Sequence, residues 1–180
     1  MPPSLLVLFA QYNQQMNRRL YDCVTAMPTE QVMADQGAFF GSIFNTLNHI
    51  LVGDIIWLNR FSQHPAGFAA LSTFSTPATI NQWPKPASLD AILFDDLVSL
   101  TKARHNMDAI LLAFTEQLTA EHLASSLTYR NTKGDTFTKP FGPLVLHLFN
   151  HQTHHRGQVS TLINQAGVDL GMTDMLMSIA

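Results

Sequence analysis

Leu5, Leu8, Phe9, Tyr12, Met16, Leu20 and Val24 return every three or four positions, the spacing that gathers side chains on one face of an α-helix. The repeat predicts a first helix from Ser4 to Ala26, with Ser4 as its N-cap and Pro28 as its stop. The polar stretch MPTEQVMADQGAF reads as a loop that turns at Asp35 and Gly37. Phe40, Ile43, Phe44, Leu47, Ile50, Leu51, Ile55 and Leu58 then line one side of a second helix, from Phe39 to Phe61. Pro65, Pro77, Pro84 and Pro86 exclude a long helix from the connection that follows.

Helical spacing resumes with Ile92, Leu93, Leu97, Leu100, Met107, Ile110, Leu111 and Phe114. It predicts a third helix from Ser88 to Leu118, with Ser88 as N-cap and Asp90 in an acidic first turn. In SLTYRNTKGDTFTKPFG the pattern changes: Thr, Tyr and Phe flank a Lys133-Gly134-Asp135 turn, which suggests a short two-stranded ribbon or a folded loop. A fourth helix starts near Pro143 and runs to Gln165, where Gly167 supplies a left-handed cap. The apolar tail after it is expected to pack on the helices. Four helices with one long connection read as one all-α domain over residues 1–180, a four-helix bundle.

The inward face of the fourth helix runs Leu144, Leu148, His151, His155, Val159, Leu162, so two histidines interrupt an apolar stripe. They lie one turn apart, about 6 Å along the axis, where two imidazoles can close on one ion. The alternative, two core histidines hydrogen-bonded on both nitrogens, carries equal weight for the pair alone. His49, in mid-helix among Leu47, Ile50 and Leu51, supplies a third nitrogen at matching depth. His147 could be a fourth ligand, a partner to one, or packing, and a non-ligand role is favoured. His154 should point away, and Asp54 is either a hydrogen-bond partner of the site or a solvated charge. His64, His105 and His122 fall in stretches expected to be exposed, with no special role. Arg156 and Gln158 would orient the helix or a substrate carboxylate, or else form a surface salt bridge and a packing amide. Gly157, which costs a helix about 1 kcal/mol relative to Ala, suggests close approach by a neighbour. Trp57 and Tyr129 are candidates to line a pocket, with core packing the simpler role for Trp57.

The chain has 180 residues, 46% apolar and only 13% charged, which suits a packed globule with some surface covered by another subunit. Ten Lys and Arg face thirteen Asp and Glu without a basic cluster, so a nucleic-acid groove is excluded. One cysteine, Cys23, forbids an intrachain disulfide and is expected to be a small buried hydrophobe. LLVLFA is too short for a secretory h-region, and ILVGDIIWL is broken by Asp54, so a cytoplasmic protein with no membrane span is expected.

FFGSIFNTLNHILVGDIIWLNRF, residues 39–61, together with LFNHQTHHRGQVSTLINQAG, residues 148–167, resembles the DinB family of bacterial damage-inducible proteins. The order of elements fits that family along nearly the whole chain. The resemblance implies a bundle of the DinB and YfiT-like type, a homodimer, and a divalent metal held by three histidines. Carried over by position, those ligands are His49, His151 and His155. Relatives in the superfamily include transferases and isomerases that use low-molecular-weight thiols such as bacillithiol or mycothiol. The implied function is a metal-dependent thiol S-transferase or hydrolase acting on a small electrophile, with zinc the first choice of metal, nickel the second, and a thiol as cosubstrate. A stress-response protein in which metal only staples the helices is the alternative. An interaction module with an incidental metal is a third reading.

Overall fold

Ser42 opens the helix that carries His49: its backbone is extended and its Oγ accepts a hydrogen bond from the Asn45 N–H at 3.0 Å. The helix therefore begins at Ile43, not Phe39. Residues 38–41 form a tight turn that closes on Gly41 at φ +80°, a conformation that keeps Phe39 and Phe40 out of the helix. The structure is a computed structural model that describes residues 1–75 and 83–179; Pro77, one of the four expected helix breakers, lies outside the described residues.

Four long helices dominate: α1 (Pro3–Ala26), α3 (Ile43–Phe61), α5 (Leu97–Glu116) and α7 (Phe141–Gln165). Three short ones, α2 (Thr29–Met33), α4 (Ser72–Ser75) and α6 (Ala120–Ala124), bring the described α-helices to seven, where the sequence suggested four. The expected loop after the first helix thus contains α2. Two 3-10 turns, Ala69–Leu71 and Met175–Ser178, complete the helical part. α1 lies along α5 and α7, and α3 along α7. Leu6, Val24, Leu47, Leu51, Leu58, Leu100, Met107 and Val159, each inaccessible to solvent or nearly so, fill the space between them.

Several boundaries move for local reasons. α1 starts at Pro3, because a proline in the first turn gives up an N–H that had no helical partner, and Ser4 is not its cap. α5 starts at Leu97, not Ser88, because Asp96 caps it by accepting from the Ser99 N–H at 2.8 Å. Ser88 instead donates to the Asp90 carboxylate at 2.5 Å. Residues 87–96 are an irregular strap over α3, pinned by Asn48: its Oδ1 accepts from the N–H groups of Leu93 and Phe94, and its Nδ2 donates to the Phe94 carbonyl.

The expected ribbon is present. β1 (Ser126–Arg130) pairs antiparallel with β2 (Thr136–Pro140), Thr128 opposite Thr138, around a turn in which Asn131 Oδ1 accepts from the N–H groups of Lys133 and Asp135. β2 runs straight into α7, which therefore begins at Phe141, two residues before Pro143. Gly167, at φ +81°, closes α7 where expected. The tail packs back on α1, with the Tyr12 hydroxyl donating to the Thr173 carbonyl at 2.5 Å and Arg19 to the Met172 carbonyl. Cys23 is half-buried rather than buried. Among the described residues no helix is long and apolar enough to cross a membrane.

Candidate metal centre

α3 and α7 pack side by side, and on the seam between them His49, His151 and His155 converge. His49 Nε2 lies 3.1 Å from His151 Nε2 and 3.2 Å from His155 Nε2. A tetrahedral ion with metal–nitrogen bonds of 2.0–2.1 Å sets its ligand nitrogens about 3.3–3.4 Å apart, so the observed spacing suits one ion.

The outward-facing nitrogens of His49 and His155 are already engaged. His49 Nδ1 is 2.6 Å from the Leu89 carbonyl, and His155 Nδ1 is 2.8 Å from Gln158 Oε1. Both partner oxygens only accept, so each Nδ1 carries the proton and donates it. In the neutral rings, Nε2 of both His49 and His155 is then a bare lone pair, and these two lone pairs face each other. A proton on His151 Nε2 could bridge one contact but not that one. A cation between the nitrogens removes the repulsion, so this donor set fits a divalent metal.

Burial reinforces the choice. It holds His49, His151 and His155 below the usual histidine range, and for His151, with His155 and His49 adding to burial, down to about 3. The three rings are thus neutral ligands near pH 7. Phe40 stacks on His49 with ring centroids 3.9 Å apart and forms one wall of the centre. Gly53 makes room for another ring: a Cβ there would come within 2.5 Å of His151 Cε1. Sequence spacing offers no hint of that contact, nor of the Asn48 strap that delivers the Leu89 carbonyl to His49.

The other candidates separate cleanly. The His147 ring centroid is 6.4 Å from that of His151 and packs on Trp57, outside the trio. His154 is exposed, as expected. His105 is exposed, and the half-buried His122 accepts from the Thr119 N–H in a helix cap. His64, expected to be exposed, is 6% exposed; Nδ1 accepts from the Ala66 N–H and Nε2 meets Ser125 Oγ at 2.8 Å, so it is a structural histidine with both nitrogens used.

Asp54 and Arg156 belong to a polar network inside the helices, not to a solvated surface. Asp54 accepts from Arg104 and, at 2.9 Å, from Gln152 Nε2. Arg104 also lies 2.9 Å from Asp108, which accepts from Asn17 at 2.8 Å. Arg156 donates to Asn13. Burial pushes the Asp54 carboxyl up to about 6 against the pull of Arg104, and lowers Arg156 to about 10. For Arg104, burial is outweighed by Asp108 and Asp54, which keep it protonated. Gln158, half-buried, is the His155 anchor. Gly157 has nothing within 4 Å of where a Cβ would stand, so the expected close approach is absent and the structure offers no account of this glycine.

The chain is 23% identical over 164 residues to Protein DinB of Bacillus subtilis (strain 168), a match covering 91% of this chain and 87% of that protein. No significant match to a solved structure was found. The profile of the DinB family spans residues 1–180, and the chain belongs to that family.

Proposed function

We propose that His49, His151 and His155 hold one divalent metal ion, zinc first and nickel second, and that the protein is a metal-dependent thiol S-transferase or hydrolase acting on a small electrophile. The observation that carries the reading is the pair of inward-facing lone pairs on His49 and His155, each fixed by a hydrogen bond on the opposite nitrogen. An ion held there supplies Lewis acidity that brings a coordinated water or thiol toward a neutral pKa. Three protein ligands, with no fourth His, Cys, Asp or Glu in the group among the described residues, leave room for such a molecule and favour a catalytic over a purely structural role.

The chain's own residues orient and shelter. Leu89 and Gln158 fix the rings, Gly53 seats His151, and Phe40 shields His49 from water. In the transfer, the thiol sulfur bonds to an electrophilic carbon, the leaving group departs with its electron pair, and the thiol proton passes to solvent. The long helices form a four-helix bundle of the DinB and YfiT-like type in this reading, and the working unit is a cytoplasmic homodimer.

Elemental analysis of untagged protein prepared without added metal tests the proposal. About one ion per chain is expected, lost in His49→Ala and His155→Ala, followed by thiol transfer that chelation abolishes. No ion, with unaltered folding in both variants, would sink it. One ion per chain without turnover across a panel of thiols and electrophiles would favour the stapled stress-response protein.

A further inference from the structure

Arg60, in the last turn of α3, carries a guanidinium that no carboxylate or carbonyl meets among the described residues. The ion pairs found there all belong to Arg104. Arg60 is half-buried, laid over the rings of Trp57 at 4.6 Å and Tyr129 at 5.0 Å; burial lowers its pKa, with Tyr129 acting the other way. Stacking on aromatic faces holds a guanidinium flat and leaves its fork of N–H donors free at the edge.

That edge opens on a cavity of ≈ 440 Å³.

 Besides Arg60 it is lined by Lys85, Arg130, Trp83 and Phe74, which makes three cations and two aromatic rings, with no acidic side chain among the described residues. Phe74 and Trp83 stack there with centroids 6.3 Å apart.

We propose that this cavity binds a small molecule bearing an oxyanion, a carboxylate or a phosphate, which pairs with Arg60 while the rest of the molecule lies against Trp83 and Phe74. Arg60 follows His49 by eleven positions on one helix, about 16 Å along its axis, so this is a site separate from the three histidines. The proposal does not depend on the metal chemistry.

The chain has two tryptophans, Trp57 under Arg60 and Trp83 in the cavity wall, so intrinsic fluorescence reads the site directly. Whole protein is titrated with inorganic phosphate and, separately, with succinate, at constant ionic strength set by sodium chloride. A saturable change with at least one oxyanion is expected, and the one that saturates at lower concentration names the source. Arg60→Gln should weaken it about tenfold or more, with Arg60→Lys recovering part, because a point charge survives but the fork does not. Arg130→Gln should weaken it less. The same change should persist in His49→Ala, which separates this cavity from binding at the histidines. No saturable change, one that Arg60→Gln leaves intact, or one that vanishes in His49→Ala overturns the proposal.

Discussion

The three histidines and the buried charged network are neighbours on α7: Gln152 directly follows His151, and Arg156 directly follows His155. One helical step of about 100° separates two opposite solutions to burying polar groups. In the network, the carboxylates of Asp54 and Asp108 face the guanidinium of Arg104, and Arg156 is held by Asn13, so charge is balanced within the protein. In the histidine centre the outer nitrogens of His49 and His155 are satisfied and the inner ones are turned on each other. The network balances its charges, although Arg104 Nε and Asp108 Oδ2 make no hydrogen bond among the described residues, whereas the centre asks for a cation from outside. The centre is therefore set apart by facing lone pairs that no charge compensates, not by the number of its buried polar groups.

The sharpest way to break this comparison is Arg104→Met. It strands two buried carboxylates and should cost about 3–5 kcal/mol in urea unfolding. His151→Leu in metal-free protein should move the same midpoint far less, and equal losses would erase the distinction. Gly53→Ala comes next: the new methyl displaces His151, so metal affinity should fall about 10–100-fold. Stability of the metal-free helix should stay within about 1 kcal/mol, as Ala is the better helix former. Calorimetric titration against urea melts separates the two effects. Gln158→Met frees His155 Nδ1 and should weaken metal about tenfold without altering the fold seen by circular dichroism.

The smallest effect concerns pH. The folded pKa values of the three histidines lie below their unfolded value, so the folded state binds fewer protons. Their contribution is fully present above about pH 6.5 and is lost as pH falls toward about 3 for His151. The urea midpoint of metal-free protein should drop across that window, and His151→Leu should flatten the drop. A midpoint that rises on acidification would contradict the burial of neutral rings.

Much of this was legible in the sequence because it is periodic. The stripe that His151 and His155 interrupt, and the mid-helix place of His49, are properties of helical spacing, and α3 and α7 bring the three together. The ribbon around Lys133-Gly134-Asp135 was legible for the same kind of reason, a local turn signal. What depends on contacts between distant segments was not. Asn48 reaching the strap at Leu93 and Phe94, Gly53 under the His151 ring, and Asp54 buried against Arg104 and Gln152 have no local signature. The start of α5 was misplaced because Ser88 is a residue type that suits an N-cap, whereas in the fold it is Asp96 whose carboxylate accepts from the Ser99 N–H.

The two anchors of the centre differ in how they withstand mutation. His49 leans on a backbone carbonyl, that of Leu89, whose side chain is 53% exposed and takes no part. Any amino acid at position 89 presents the same oxygen, so random substitution there leaves the anchor in place. His155 leans on the side-chain amide of Gln158, and a single codon change can remove it. Drift in this lineage would therefore erode the centre from the α7 side first.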